Sequence, residues 1–183
     1  MNSFKFHTPT DSSVQGRAIL NQVQDSYGFV PNLFAYMAEA PVTVEAYLSL
    51  TQLLDKLSLT PQQSQIVLLA ISQENGCGFC IAAHHAIGKR KGVPEQTASE
   101  MIAGREISDL KTRALVRFAH QMVEKRGWLD EQDLSDFFAA GFEQKHVFEI
   151  ILIAAIKTLS NYSNHLTRPE INPELMAMLK PGK

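Results

Sequence analysis

Glu74-Asn75-Gly76-Cys77-Gly78-Phe79-Cys80-Ile81-Ala82-Ala83-His84-His85 is the stretch from which the rest of this chain can be read. It holds both cysteines, spaced C-x-x-C, and a histidine follows four residues after the second. Asn75 and Gly76 are helix breakers, and Cys77 to Lys91 reads as one new helix beyond them. Each helical residue advances about 100° around the axis, which sets Cys80 and His84 about 40° apart, one turn from each other. Cys77 stands nearly in line with His84. Two thiols and an imidazole thus share one stripe, beside small alanines that permit close packing.

That arrangement suits thiol chemistry. The thiolate is the nucleophile, and a free cysteine has a pKa of about 8.5. A helix N-terminus favours the anion through its unpaired N–H groups and positive dipole end. An imidazole nearby can take the thiol proton. A second cysteine can resolve an oxidised first one as a disulfide, before over-oxidation. Two other readings stand beside this one. Cys77, Cys80 and His84 could be three ligands of a metal site, although a structural zinc wants four. Two inert buried cysteines three apart would be the other.

Working outward, Thr60-Pro61 reads as a cap and a first-turn proline. The helix it opens is apolar on all sides from Ile66 to Ile71, so it is expected to be buried. Upstream, residues 1–13 read as a polar, extended arm with a solvated His7. A helix follows from Val14 to Tyr27, stopped by Gly28, then a short one carrying Leu33, Phe34 and Met37. Pro41 opens another whose broad apolar face runs to Leu57. Downstream, Lys89-Arg90-Lys91 reads as a solvated helix end whose cations complement the dipole, with a specific anion site as the alternative. Helices are expected from Pro94 to Met101, after the Ser108-Asp109 cap to Gly127, and from Asp130 to Gly141. Glu143 to His165 is the most hydrophobic candidate, broken between Val147 and Ile156 only at Glu149. It should be buried centrally or against another subunit. Pro173 to Leu179 forms a terminal helix. With no hairpin turn pair or phosphate loop, the sum is an all-α bundle of packed helical hairpins, about eight or nine helices. It forms one domain over 14–183, with a redox core at 60–92.

Composition bounds the class. The chain has 183 residues, 45% apolar and 20% charged, with a net charge of −2, which is ordinary for a globular domain and argues against nucleic-acid binding. No apolar run is long enough for a membrane span, and the N-terminus lacks the apolar core of a signal peptide. The expected compartment is the cytoplasm, where a cysteine pair is more often catalytic than a permanent staple.

From Thr60-Pro61 to Asn75-Gly76-Cys77-Gly78-Phe79-Cys80-Ile81-Ala82-Ala83-His84, the chain resembles the core of the alkylhydroperoxidase AhpD-like proteins of the carboxymuconolactone decarboxylase superfamily. Gly28-Phe29-Val30-Pro31-Asn32-Leu33-Phe34, Ala40-Pro41 and Asn161-Tyr162-Ser163-Asn164-His165 are similar to its peroxidase-related branch. The resemblance implies an all-helical fold in a homo-oligomer, trimer or hexamer, and hydroperoxide reductase activity in antioxidant defence. It implies that Cys80 attacks the peroxide, Cys77 resolves it and His84 relays the proton. The disulfide would be reduced by a dithiol protein of the lipoyl or thioredoxin type. No haem, flavin or nicotinamide is needed. One position departs: where the family often has a glutamate twelve residues before the first cysteine, this chain has Gln65. An amide can orient the imidazole but cannot accept its proton at neutral pH. Either Glu74 supplies the carboxylate, or peroxidase activity is weak. Phe79 is expected to pack, and His85 to lie off the site face. The alternatives are a dithiol–disulfide oxidoreductase with weak peroxidase activity and a non-catalytic metal-binding or redox-sensing module.

Overall fold

A computed structural model describes residues 4–179, and within them the chain is all helix, with no strand. Ten α-helices and one 3₁₀ turn are present: α1 Val14–Tyr27, α2 Asn32–Met37, α3 Pro41–Gln52, the turn Leu53–Lys56, α4 Pro61–Glu74, α5 Gly78–Arg90, α6 Glu95–Ile102, α7 Leu110–Glu124, α8 Glu131–Ala139, α9 Gln144–Thr167 and α10 Pro173–Leu179. The count exceeds the eight or nine of the summed expectation, and each segment the sequence marked out, the six-residue α2 included, stands as its own helix.

Local chemistry sets the boundaries. Thr60 accepts from the Gln63 backbone N–H and the Gln63 side chain accepts from the Thr60 N–H, a capping box that fixes the start of α4. Asp130 caps α8 with the same kind of box through Asp133, and Asp109 caps α7 with a single bond from the Thr112 N–H to its carboxylate. Such caps contribute about 1 kcal/mol each.

The apolar run in α4 does what its sequence predicts. Every residue from Ile66 to Ser72 is buried, and α4 packs against α5, α7 and α9. A second part of the core is a ladder of rings, Phe118 on Phe137 at 3.9 Å and Phe137 on Phe142 at 4.5 Å between centroids.

Three features depart from the sequence reading. The apolar face of α3 does not run on as one helix to Leu57. The helix ends at Gln52, tightens into the 3₁₀ turn and becomes extended at Leu57, because the chain must turn before the Thr60 cap. Glu149, the one break in the apolar run of α9, reaches that connection and accepts from the Ser58 and Leu59 N–H groups at 2.7 and 3.0 Å. His7 is not solvated: its N–H donates to Ala35 O at 3.0 Å and its ring meets the Glu39 carboxylate, which buries it on α2. Finally, α9 is buried on one side only. Ile150, Ile153, Ile156, Lys157, Ser160, Asn161 and Asn164 face inward, while Phe148, Ile151, Tyr162 and Leu166 stay exposed.

Candidate functional site

The junction of α4 and α5 places the cysteines. Gly76 adopts φ +64°, a left-handed value that a side chain would strain. Its N–H donates to Gln73 O at 2.9 Å, and the Cys77 N–H donates to Ser72 O at 2.9 Å. These two bonds are a Schellman closure of α4. Cys77, the last residue of that closure, is also the N-cap of α5, so Cys80 falls in the first turn of α5. Its sulfur therefore sits where the helix end favours an anion. Asn75 Nδ2 donates to Asn161 Oδ1 at 2.8 Å and ties the junction to α9.

Around Cys80 the side chains come from three helices. From α9, the Asn164 amide donates to Cys80 Sγ at 3.2 Å and reaches Cys77 Sγ at 3.7 Å. Lys157, fully buried, donates to His84 Nε2 at 2.8 Å and also hydrogen-bonds the Cys80 sulfur. From α4, Gln65 Oε1 lies 3.2 Å from His84 Nδ1. The two contacts of His84 fix its tautomer: Nε2 accepts from the ammonium, so Nδ1 carries the proton and donates to Gln65.

Electrostatics separates the two cysteines. The Cys77 thiol donates to the Cys80 sulfur, and against the penalty of burial that bond lowers Cys80 to about 5, helped by the Lys157 charge and by hydrogen bonds from Lys157 and Ser160. The same pairing with Cys80, and then burial, push Cys77 well above the ordinary thiol range. The pair thus holds one proton, on Cys77. Burial, reinforced by the Lys157 cation, holds His84 well below the ordinary imidazole value. Tyr47 of α3 is kept a neutral phenol, chiefly by burial and then by the Cys80 charge.

Cys80, His84, Gln65, Lys157 and Tyr47 all line one cavity of about 670 Å³. Its remaining wall is mostly apolar, with Phe34, Leu48, Leu68, Phe79 and Ile87 among the contributors. That size suits a small organic molecule.

Glu74 is not in this site. Its carboxylate faces His120 at 3.9 Å in a separate polar groove, so it does not stand in for the missing glutamate. His85 is absent from the cavity wall. Among the described residues no three His, Cys, Asp or Glu side chains converge on a metal position, and the nitrogen of His84 that a metal would need is covered by an ammonium.

Sequence reasoning missed Lys157, Ser160 and Tyr47, and quoted Asn164 without a role. The signal for Lys157 was there. It is the only lysine or arginine between Lys145 and Arg168, and it keeps the three-to-four-residue spacing of Ile150, Ile153, Ser160 and Asn164. A lysine on the buried face of a helix needs a counter-charge.

The helices, their order and the cysteine-bearing junction define an AhpD-like all-α fold. Residues 41–121 match the Carboxymuconolactone decarboxylase family. It is similar to the alkylhydroperoxidase AhpD core of an uncharacterized peroxidase-related protein from Ralstonia eutropha JMP134, at 24% identity and a TM-score of 0.82, covering 96% of this chain and 94% of that one. A peroxidase-related protein from Silicibacter sp. TM1040 gives 19% identity and a TM-score of 0.76 over 94% and 92% of the two chains. The debrominase Bmp8 in complex with 2,3,4-tribromopyrrole gives 19% and 0.74 over 91% and 90%. No curated protein matches the chain. No helix among the described residues is long and apolar enough to cross a membrane.

Proposed function

We propose that this protein is a thiol-dependent hydroperoxide reductase in which Cys80 is the nucleophile and Cys77 the resolving thiol. The observation that carries this reading is the Cys80 sulfur on the wall of an apolar cavity, lowered to about 5 and bonded to the buried ammonium of Lys157.

The cycle balances on this chain's own groups. The Cys80 thiolate attacks the terminal oxygen of a hydroperoxide ROOH, the O–O bond breaks, and Cys80 becomes the sulfenic acid as RO⁻ leaves. Lys157 gives RO⁻ a proton, releasing ROH and leaving a neutral amine. His84 acts through that lysine: its Nε2 aims the amine, and Gln65 holds the imidazole in the accepting tautomer. Cys77 then attacks the Cys80 sulfur, the S–S bond forms, and the Cys77 proton leaves with the hydroxide as water. A dithiol reductant supplies two electrons and two protons by exchange. One proton returns to Cys77 and the other to Lys157. The neutral Gln65 is no obstacle here, because the proton donor is a lysine rather than an imidazolium held by a carboxylate.

Cys80 is only 3% exposed. That burial favours an electrophile slender enough to enter the cavity, and a reductant on a flexible arm of the lipoyl type over a thioredoxin-type surface. Cytoplasmic action as a homo-oligomer, a trimer or hexamer joined through the outer face of α9, completes the proposal.

One equivalent of cumene hydroperoxide should convert the reduced protein to a Cys77–Cys80 disulfide, read by intact mass and peptide mapping. A Cys80→Ser protein that keeps turnover would remove the assignment.

A further inference from the structure

The cavity face of α5 is a single stripe with different chemistry at its two ends. Cys80, the pair Ala83 and His84, Ile87, and the pair Arg90 and Lys91 recur once per helical turn, and all line the cavity. The thiolate lies at the N-terminal end, the middle is apolar, and two cations stand at the C-terminal end. Ten residues separate Cys80 from Arg90, a helical rise of about 15 Å.

Among the described residues the cations Arg90 and Lys91 have no ion-pair partner. Arg90 Nη1 instead lies 3.9 Å from the Met178 sulfur, which turns the guanidinium toward the cavity face of α10. Asp55 is the one acidic side chain on the wall. Against it and the Cys80 thiolate stand Arg90, Lys91 and, at the inner end, Lys157, so the cavity is net positive. Helix-dipole complementarity alone explains cations near a helix end, but it does not require them to line a cavity with an apolar floor.

We propose that the cavity binds an amphipathic organic acid, an apolar chain whose carboxylate is held by Arg90 and Lys91 while its far end lies against Cys80. The inference deepens the peroxidase reading by naming the substrate class: a long-chain carboxylic acid that bears the hydroperoxide away from its acid group. Two exposed cations weigh modestly on affinity, so the apolar wall supplies most of the binding and the cations supply direction.

Calorimetric titration of the reduced full-length protein with dodecanoate and with methyl dodecanoate tests this without any peroxide. Dodecanoate should bind, the ester should bind roughly fivefold more weakly, and R90Q/K91Q should lose that difference while melting as the parent does. Equal affinity for acid and ester, or binding of neither, overturns the proposal. So does an unchanged preference in R90Q/K91Q, which would place the acid head on Lys157 instead. Because neither probe is oxidising, these outcomes are independent of whether the protein consumes hydroperoxides.

Discussion

Lys157 Nζ lies 2.8 Å from His84 Nε2, with the lysine fully buried. In the proposed cycle the imidazole therefore acts through an ammonium rather than by taking the thiol proton itself. A buried cation persists only with a counter-charge, and the Cys80 thiolate supplies it.

Removing that cation should cost the thiolate. In Lys157→Met, a side chain of similar length without the charge, the Cys80 pKa should rise from its value of about 5 by roughly one to three units. The pH profile of alkylation by iodoacetamide measures it directly. An inflection unmoved in the variant would show that the ammonium does not hold the thiolate.

Gln65 should act on the tautomer. Gln65→Ala deprives the His84 Nδ1–H of its acceptor, which costs about 1–3 kcal/mol for a buried donor left unpaired. Nitrogen NMR of the His84 ring should then show mixed tautomers, with peroxide turnover lower by about tenfold or more. Gln65→Glu restores the acceptor and should recover one tautomer. Retention of the Nδ1–H form in Gln65→Ala would leave the amide without the orienting role.

Stability should rise with pH in the reduced protein. Cys80 is depressed in the fold, so its contribution is fully present above the unfolded thiol pKa and is lost as pH falls through about 5. Cys77 is raised, so it acts oppositely once pH exceeds the ordinary thiol value. His84 is depressed as a base, so protonation of the unfolded chain below about 6.5 also favours unfolding. Reduced protein should gain up to about 1.4 kcal/mol per pH unit from Cys80 between pH 7 and 8.5, with a maximum near pH 9. Urea unfolding series on the parent and on Cys80→Ser check this. The variant should lose the gain above pH 7 and keep the acid-side decline.

The outer face of α9 should be an assembly surface. Phe148, Ile151, Tyr162 and Leu166 are 72%, 45%, 58% and 64% exposed, and with Ala155 and Thr158 they repeat at three- and four-residue steps, the spacing of a helix-pairing seam. Light scattering at micromolar concentration should give a multiple of the 20.4 kDa chain mass. Phe148→Asp with Ile151→Asp should give the monomer, still folded. A monomeric parent would contradict the oligomer.

Much of this was legible in the sequence because it is written locally. Thr60-Pro61, Asn75-Gly76, Asp109 and Asp130 mark ends by capping chemistry, and the apolar run in α4 marks the centre. The C-x-x-C-x-x-x-H spacing put Cys77, Cys80 and His84 on one stripe, and the structure keeps them together. What the sequence withheld is non-local. Lys157 lies 73 positions from the imidazole it contacts, and only the packing of α9 on α5 brings them together. Glu74, three residues from Cys77, is turned by the end of α4 toward His120 and away from the thiols. Proximity along the chain was the wrong guide to the missing carboxylate, and the residue on the sulfur proved to be a cation.

The most direct test mixes fully reduced protein with an excess of an organic hydroperoxide and counts free thiols and peroxide in stopped flow. Loss of two thiols per chain, one peroxide consumed for each pair, is the result expected of Cys80 attack and Cys77 resolution. Thiols and peroxide both unchanged at neutral pH would contradict it, and with it the role given to the Lys157-bound thiolate.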